Sequence, residues 1–216
     1  MESQKPKIAM YVKRPFGEKL NASFDFLKEN WKLLLKFITY LLLPLCLIQA
    51  LSLNGLMSGA LSISAIASST AMAASSSSLI AFGSYYGLYM FLYLIGIILL
   101  TSLVYGLIRT YNEREERLQG VTLGMLKPRL FRNIKRLLLM TGACILLVLF
   151  VGIFVGLLVA LTPFTLFLTI PFIIAFSVPL ALLAPIYLFE DITLMEAFKK
   201  TFRLGFATWG GVFLVS

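Results

Sequence analysis

Residues 137–189 read LLLMTGACILLVLFVGIFVGLLVALTPFTLFLTIPFIIAFSVPLALLAPIYLF, 53 positions without one Asp, Glu, Lys or Arg. A helix rises 1.5 Å per residue and needs about 20 apolar residues to cross ~30 Å of hydrocarbon, so this run holds two crossings. A second charge-free run, residues 37–108, spans 72 positions and holds two more. Composition agrees: 59% of the 216 residues are apolar, 13% are charged, and the mean hydropathy is +0.91, whereas an ordinary soluble domain is about one quarter charged. These proportions exclude a disordered chain, a disulfide scaffold and a nucleic-acid module, which need high polarity, many cysteines or a solvated basic face. The expected fold class is all-α, a polytopic transmembrane helical bundle.

The 19 basic and 10 acidic residues fall in three blocks. Residues 1–36 hold eight Lys or Arg against four acids, residues 109–136 eight against three, and residues 190–203 three against three. An even number of crossings between blocks returns the chain to the side it left. All three blocks therefore face one compartment, expected to be the cytosol because flanking Lys and Arg resist translocation. The net charge of +9 then reads as orientation plus contact with anionic headgroups, at about 1 kcal/mol per well-placed cation, and not as a nucleic-acid surface.

The chain divides as one integral membrane domain. It comprises a cytoplasmic amphipathic N-terminus (1–36), spans one and two (37–108), an elbow (109–136), spans three and four (137–189), a second elbow (190–207) and the start of an incomplete fifth span (208–216). The spans centre on 33–53, 79–108, 137–161 and 164–189. Residues 54–78, rich in Ser, Ala and Gly, suit an outward-facing loop or weak helix, and only Thr162 and Pro163 separate spans three and four. Ala71, Met72 and Ala73 lie too far beyond the first apolar run to mark signal cleavage, so that run reads as an uncleaved span.

Each charged block turns into an amphipathic helix that runs directly into a span. In 16–36 the apolar positions are Leu20, Phe24, Leu27, Trp31 and Leu34. In 122–136 they are Leu123, Leu126, Leu130 and Ile134, with Lys127, Arg132, Lys135 and Arg136 as interfacial cations. In 193–206 they are Leu194, Phe198, Phe202 and Phe206, with Lys199, Lys200 and Arg203 basic. Such helices are expected to lie in the membrane interface, either as simple elbows or as surfaces that recognise lipids or partners. Pro128 should bend the second helix or set its start.

Span four carries a breaker every six to eight residues, at Pro163, Pro171, Pro179 and Pro185. It is expected to be bent or unwound between Pro171 and Pro185, as a kinked structural helix or as a broken helix beside a solute path. Pro171, Ser177, Pro179 and Pro185 are the candidate solute or lipid path, although no intramembrane acid or base is present to couple ions. Thr39, Tyr40, Gln49, Thr101, Ser102, Tyr105, Thr141, Thr169 and Ser177 are expected to hydrogen-bond between helices. Gly152, Gly156 and Ala160 form a close-packing stripe, with Gly83 and Gly87 repeating the spacing, for packing within the chain or in a homodimer.

Glu190 and Asp191 are a candidate headgroup or metal contact, set against a capping role in which Asp191 or Thr193 accepts from helix-start amides. Cys46 and Cys144 read as apolar packing residues. The chain contains no histidine, which removes imidazole-based hydrolysis and histidine-ligated metal chemistry, and no phosphate loop is present. No cofactor or bound metal is expected.

Phe16-Gly17-Glu18, Phe24, Phe26, Lys28 and Asn30-Trp31-Lys32 resemble the opening of a group of uncharacterised bacterial multi-pass inner-membrane proteins. Pro185, Glu190, Ala197-Phe198-Lys199-Lys200-Thr201-Phe202 and Trp209 resemble a later elbow of that group, related to the membrane domain of some glycerophosphoryl diester phosphodiesterases. The resemblance implies a bacterial inner membrane and about six spans, without the soluble catalytic domain. A label of carotene oxygenase, used for some relatives, fails on the missing histidines.

The functional expectation is a non-catalytic integral membrane protein that organises lipids or partner proteins. The alternative is a permease, or permease subunit, for an apolar or lipid-like solute, with a lipid-modifying enzyme a distant third. Expected partners are anionic lipid headgroups, a membrane-protein partner or a second copy, and no nucleic acid. A longer parent is expected to complete spans five and six. In a background lacking Cys46 and Cys144, an impermeant thiol reagent should label a cysteine at Ser76 in whole cells and spare one at Gln119; the opposite pattern would reverse the topology.

Overall fold

The computed structural model describes residues 7–67 apart from 10, 11 and 13, residues 75–208 apart from 163, and residue 210. Regular structure among the described residues is entirely helical: α1 (Phe16–Ala67), α2 (Ser75–Glu113), α3 (Leu123–Leu161), α4 (Thr165–Leu180), α5 (Leu183–Phe189) and α6 (Leu194–Ala207). Phe16–Leu61, Leu79–Glu113, Leu123–Leu161 and Thr165–Phe189 are each long and apolar enough to cross a membrane. The fold is therefore all-α and the chain is a multi-pass membrane protein. The expected fifth span rests on Trp209 and 211–216, and the tight outer turn on Pro163; these lie outside the described residues, as do 68–74. The chain forms two compact units, residues 1–127 and 128–216.

In the first unit α1 and α2 pack antiparallel, because contacts advance along one helix as they retreat along the other. Gly96 meets Leu45, Gly55 meets Tyr85 and Gly59 meets Phe82. A Cβ on Gly55 would fall 2.6 Å from the Tyr85 ring, and one on Gly59 3.4 Å from Phe82. Two glycines one turn apart thus admit two aromatic rings, the close approach that small residues permit in membranes.

Of the two alternatives for 54–78, loop or weak helix, the described residues take the helix, since α1 continues to Ala67 and α2 begins at Ser75. Its small polar side chains do not oppose the helix: Ser58 and Ser64 hydroxyls donate to the carbonyls of Gly55 and Leu61 at 2.9 and 2.8 Å. Tertiary packing outweighs low local propensity there.

The first two charged blocks lead straight into a span, as expected. Residues 16–36 and 123–136 run uninterrupted into their spans, with Pro44 and Pro128 inside α1 and α3. No Gly or Pro stands at Lys36–Phe37 or Arg136–Leu137, so nothing interrupts the backbone ladder at either junction. The buried stripe on α1 is Phe26, Asn30, Leu34 and Phe37, whereas Leu20, Phe24, Leu27 and Trp31 are exposed. Asn30 tolerates burial because its Nδ2 donates to the Phe26 carbonyl at 3.0 Å.

In the second unit the proline-rich span breaks at Ala181–Leu182, between α4 and α5, while Pro171 stays inside unbroken helix. The break satisfies its own backbone, Leu182 N–H donating to Pro179 O at 3.0 Å and Ile186 N–H to Leu182 O at 3.1 Å. Leu183, Tyr187 and Ala197 form a buried core of α5 and α6, against which Met140 and Cys144 of α3 pack. Phe176 on α4 meets Phe202 and Phe206 of α6 edge-on, at 5.9 and 5.5 Å between ring centroids.

Gly205 of α6 sits on Pro179 so closely that a Cβ would lie 2.5 Å from Pro179 Cβ and 2.7 Å from its Cα. Those atoms belong to a ring fused to the backbone and cannot swing aside. Gly205→Ala should destabilise the detergent-solubilised protein by about 1–3 kcal/mol, read as a lower melting temperature. Gly152→Ala, which meets nothing within 4 Å, should stay within about 0.5 kcal/mol. Equal melting temperatures would refute the α4–α6 contact.

Candidate functional site

The end of α5 leaves carbonyls without helical partners, and Arg136 of α3 supplies them. Its Nη2 donates to Tyr187 O at 2.6 Å and Ile192 O at 2.8 Å, and its Nη1 to Asp191 Oδ1 at 2.7 Å. The guanidinium carbon lies 4.2 Å from the Tyr187 ring centroid, and the side chain is only 17% exposed. A planar fork of donors that also stacks on an aromatic face is a task for Arg and not Lys. Asp191 takes a left-handed φ of 53° as the chain turns from α5 toward α6, and Arg132 pairs with the same carboxylate.

Thr193, and not Asp191, caps α6. Its hydroxyl accepts from Glu196 N–H at 3.4 Å, and its own N–H donates to Glu196 Oε2 at 3.1 Å. The hydrogen bond from the Thr193 backbone holds the Glu196 carboxyl below its ordinary value. A depressed carboxyl contributes above its unfolded pKa and is lost as pH falls through the folded one, so acid opens this capping box.

Both candidate acids are engaged by cations, Asp191 by Arg132 and Arg136 and Glu190 Oε2 by Lys200 Nζ at 2.6 Å. Among the described residues no three His, Cys, Asp or Glu gather as a metal site. Of the expected interfacial cations, Lys127, Arg132, Lys135, Lys199 and Arg203 are exposed, whereas Arg136 turns inward and Lys200 is half-buried. Lys135 Nζ lies 4.9 Å from the centroid of its neighbour's ring, Phe131.

An apolar cleft of about 500 Å³ opens between α3, α4 and α6, walled by residues including Phe154, Thr169, Phe172, Phe176 and Phe202. The candidate path residues lie near this cleft but off its wall. Pro171 and Ser177 are exposed, Pro179 is buried against Gly205 and Pro185 is half-buried. Ser177 and Thr169 hydroxyls donate to carbonyls of their own helix, Ile174 O at 2.9 Å and Leu166 O at 3.3 Å, instead of to another helix. The nearest acceptor for a hydroxyl in hydrocarbon is the carbonyl one turn back. Gly152 and Gly156 meet nothing within 4 Å and Ala160 is exposed, so this stripe is open within the described chain; Gly83 and Gly87 are open likewise.

The first unit holds a second polar knot. Arg117 Nη1 donates to Glu29 Oε1 at 2.8 Å, Tyr111 Oη donates to Glu29 Oε2 at 3.2 Å, and Ile8 N–H donates to Tyr111 Oη at 3.3 Å. Lys7 Nζ donates to Asn112 O and Arg114 O at 2.8 and 3.1 Å, closing the C-terminal end of α2. The Tyr111 ring meets Phe26 edge-on at 5.1 Å. Beside this knot a groove of about 560 Å³ lies between α1, α2 and Ile8, Val12 and Arg14.

Sequence reasoning missed Glu29, Tyr111 and Arg117, because each looks like one more polar residue of a solvated block. The available signal was Gly55-x-x-x-Gly59, a spacing that permits close helix approach; with α1 and α2 joined as an antiparallel hairpin, that contact brings residue 29 toward residue 111.

Comparison with family models, curated proteins and solved structures found no match for this chain. Residue roles therefore rest on the geometry. Arg136→Ala strips two carbonyls and a carboxylate of a mostly buried charged donor and should cost about 2–3 kcal/mol. Arg136→Lys should recover only part, measured as thermal unfolding in detergent. An Ala variant as stable as the parent would show that the clamp contributes nothing.

Proposed function

We propose that this chain is a non-catalytic multi-pass protein of a bacterial inner membrane that organises lipids or partner proteins. Its N-terminus, residues 109–136 and residues 190–207 lie in the cytosol. The observation that carries this reading is the stripe Leu20, Phe24, Leu27, Trp31 and Leu35, each 43–60% exposed along one side of α1. A contiguous apolar stripe of this length is not left in water; it is covered by lipid or by another protein. Lys28 and Lys32 accompany it, Lys32 Nζ lying 5.8 Å from the Trp31 ring centroid, and Trp with Lys is the composition of the headgroup layer. The positive-inside rule supports the orientation, and the resemblance to inner-membrane proteins supports the compartment. The lack of histidine supports a non-catalytic role.

A second reading is favoured by the cleft beside the α4–α5 break. A wholly apolar surface next to an interrupted helix suits a permease for an apolar or lipid-like solute.

A photoreactive amino acid in place of Phe24 or Trp31, in the full chain in living cells, should crosslink to lipid or to one defined protein. Failure at both positions would sink the organising reading. Proteoliposomes that speed transbilayer movement of a labelled lipid severalfold, and lose this on Phe172→Trp, would decide for the permease.

A further inference from the structure

We infer that the groove between α1 and α2 is a binding site for a single anionic phospholipid, its phosphate held by Arg14 and Lys19 and an acyl chain lying along Leu34, Ile38 and Ile108. The inference rests on the lipid-organising reading and assigns it a place.

The wall of the groove changes chemistry along its length. At one end stand Arg14, Lys19 and Ser23; at the other, Leu34 and Ile38 of α1 face Val104 and Ile108 of α2. Lys19 to Ile38 is 19 residues, about 28 Å of helix, and the apolar end is the one that joins the charge-free run beginning at residue 37. A phospholipid has this same polarity and a comparable length. The cavity, about 560 Å³, has room for one acyl chain of the lipid, the second chain lying outside it.

Charge supports the same occupant. Among the described residues no Asp or Glu lines the groove. Of the acids of this unit, Glu29, Glu113 and Glu116 are ion-paired with Arg117, Arg109 and Arg114, while Glu18 and Asp25 stand exposed on α1 off the groove wall. Among the described residues neither Arg14 nor Lys19 has a carboxylate partner. Two cations at the mouth of an apolar slot attract a phosphate attached to a hydrocarbon tail. A free phosphate would leave the slot empty, and an apolar protein helix would bury both charges without a counter-charge.

Native mass spectrometry of the full chain extracted from mixed vesicles tests this. The probes are phosphatidylglycerol and phosphatidylcholine with identical acyl chains, with inorganic phosphate as competitor. One phosphatidylglycerol should be retained in preference to phosphatidylcholine. Arg14→Gln or Lys19→Gln should each lower that retention about fivefold, and the pair more than tenfold, with phosphatidylcholine unchanged. Ile38→Trp, which fills the apolar end, should lower both lipids, and Lys28→Gln, off the groove wall, should change neither.

Undiminished phosphatidylglycerol in the Arg14→Gln/Lys19→Gln pair would overturn the site, as would displacement by millimolar phosphate or a protein adduct from a photoreactive residue at Leu34. If the pair keeps its lipid while Phe24 and Trp31 still crosslink lipid, this site fails and the broader reading stands. If the two positions crosslink nothing while retention depends on Arg14 and Lys19, the broader reading fails and the site stands.

Discussion

A backbone N–H or C=O inside hydrocarbon has no water to turn to, and the rest of this structure is arranged around that constraint. It makes regular structure helical throughout the described residues and confines every charge to three blocks. It also explains the hydroxyls: Ser52, Thr110 and Ser177 each donate to a carbonyl of their own helix. Where a helix has to stop, a partner is provided. Leu182 N–H reaches back to Pro179 O at the α4–α5 break, and Arg136 collects the carbonyls of Tyr187 and Ile192 at the end of α5.

The same constraint accounts for the great length of α1. Its 52 residues would rise about 78 Å as one helix, well over twice the hydrocarbon thickness. Turning the charged segment into a separate interfacial helix would open the ladder near Lys36, where no Gly or Pro favours a break and no side chain stands ready to cap the exposed carbonyls. Continuing the helix keeps every bond. The consequence is that the apolar positions of 16–36 are divided between a buried side, against α2, and an exposed side.

This division marks the limit of what could be read in advance. Charge-free runs of 72 and 53 residues are legible because hydropathy over a span is a sum, insensitive to register. The packed face of α1 is not, because it runs through Asn30 while the richer apolar stripe, Leu20 to Trp31, faces outward. Ranking stripes by hydrophobicity chooses wrongly where lipid, and not the protein core, is the apolar phase. The break in the fourth span was legible from proline spacing to within Pro171–Pro185, yet which proline would mark it was not: Pro171 is carried within the helix, and the interruption comes after Pro179, where Gly205 presses on the ring. Small-residue spacing was similarly ambiguous. Gly55 and Gly59 are used for packing, while Gly152 and Gly156, with the same spacing, face open space.

The polar knots are better understood as positioning devices than as sources of stability, since exposed ion pairs contribute about 0–1 kcal/mol and partly buried ones lose much of their attraction to desolvation. What they change is the distribution of charge. Glu29 is held by Arg117 and Tyr111, and Asp191 by Arg132 and Arg136, so these acids are withdrawn from the surface around them. On the N-terminal part of α1 Glu18 and Asp25 lie off the wall of the apolar groove, while Arg14 and Lys19 border it. A diffuse excess of basic residues would orient a chain in the membrane, but it would not distinguish one lipid from another. Pairing five of the ten acids internally, while Arg14 and Lys19 stand beside apolar surface, is the arrangement by which an orientation signal would become a chemically selective surface.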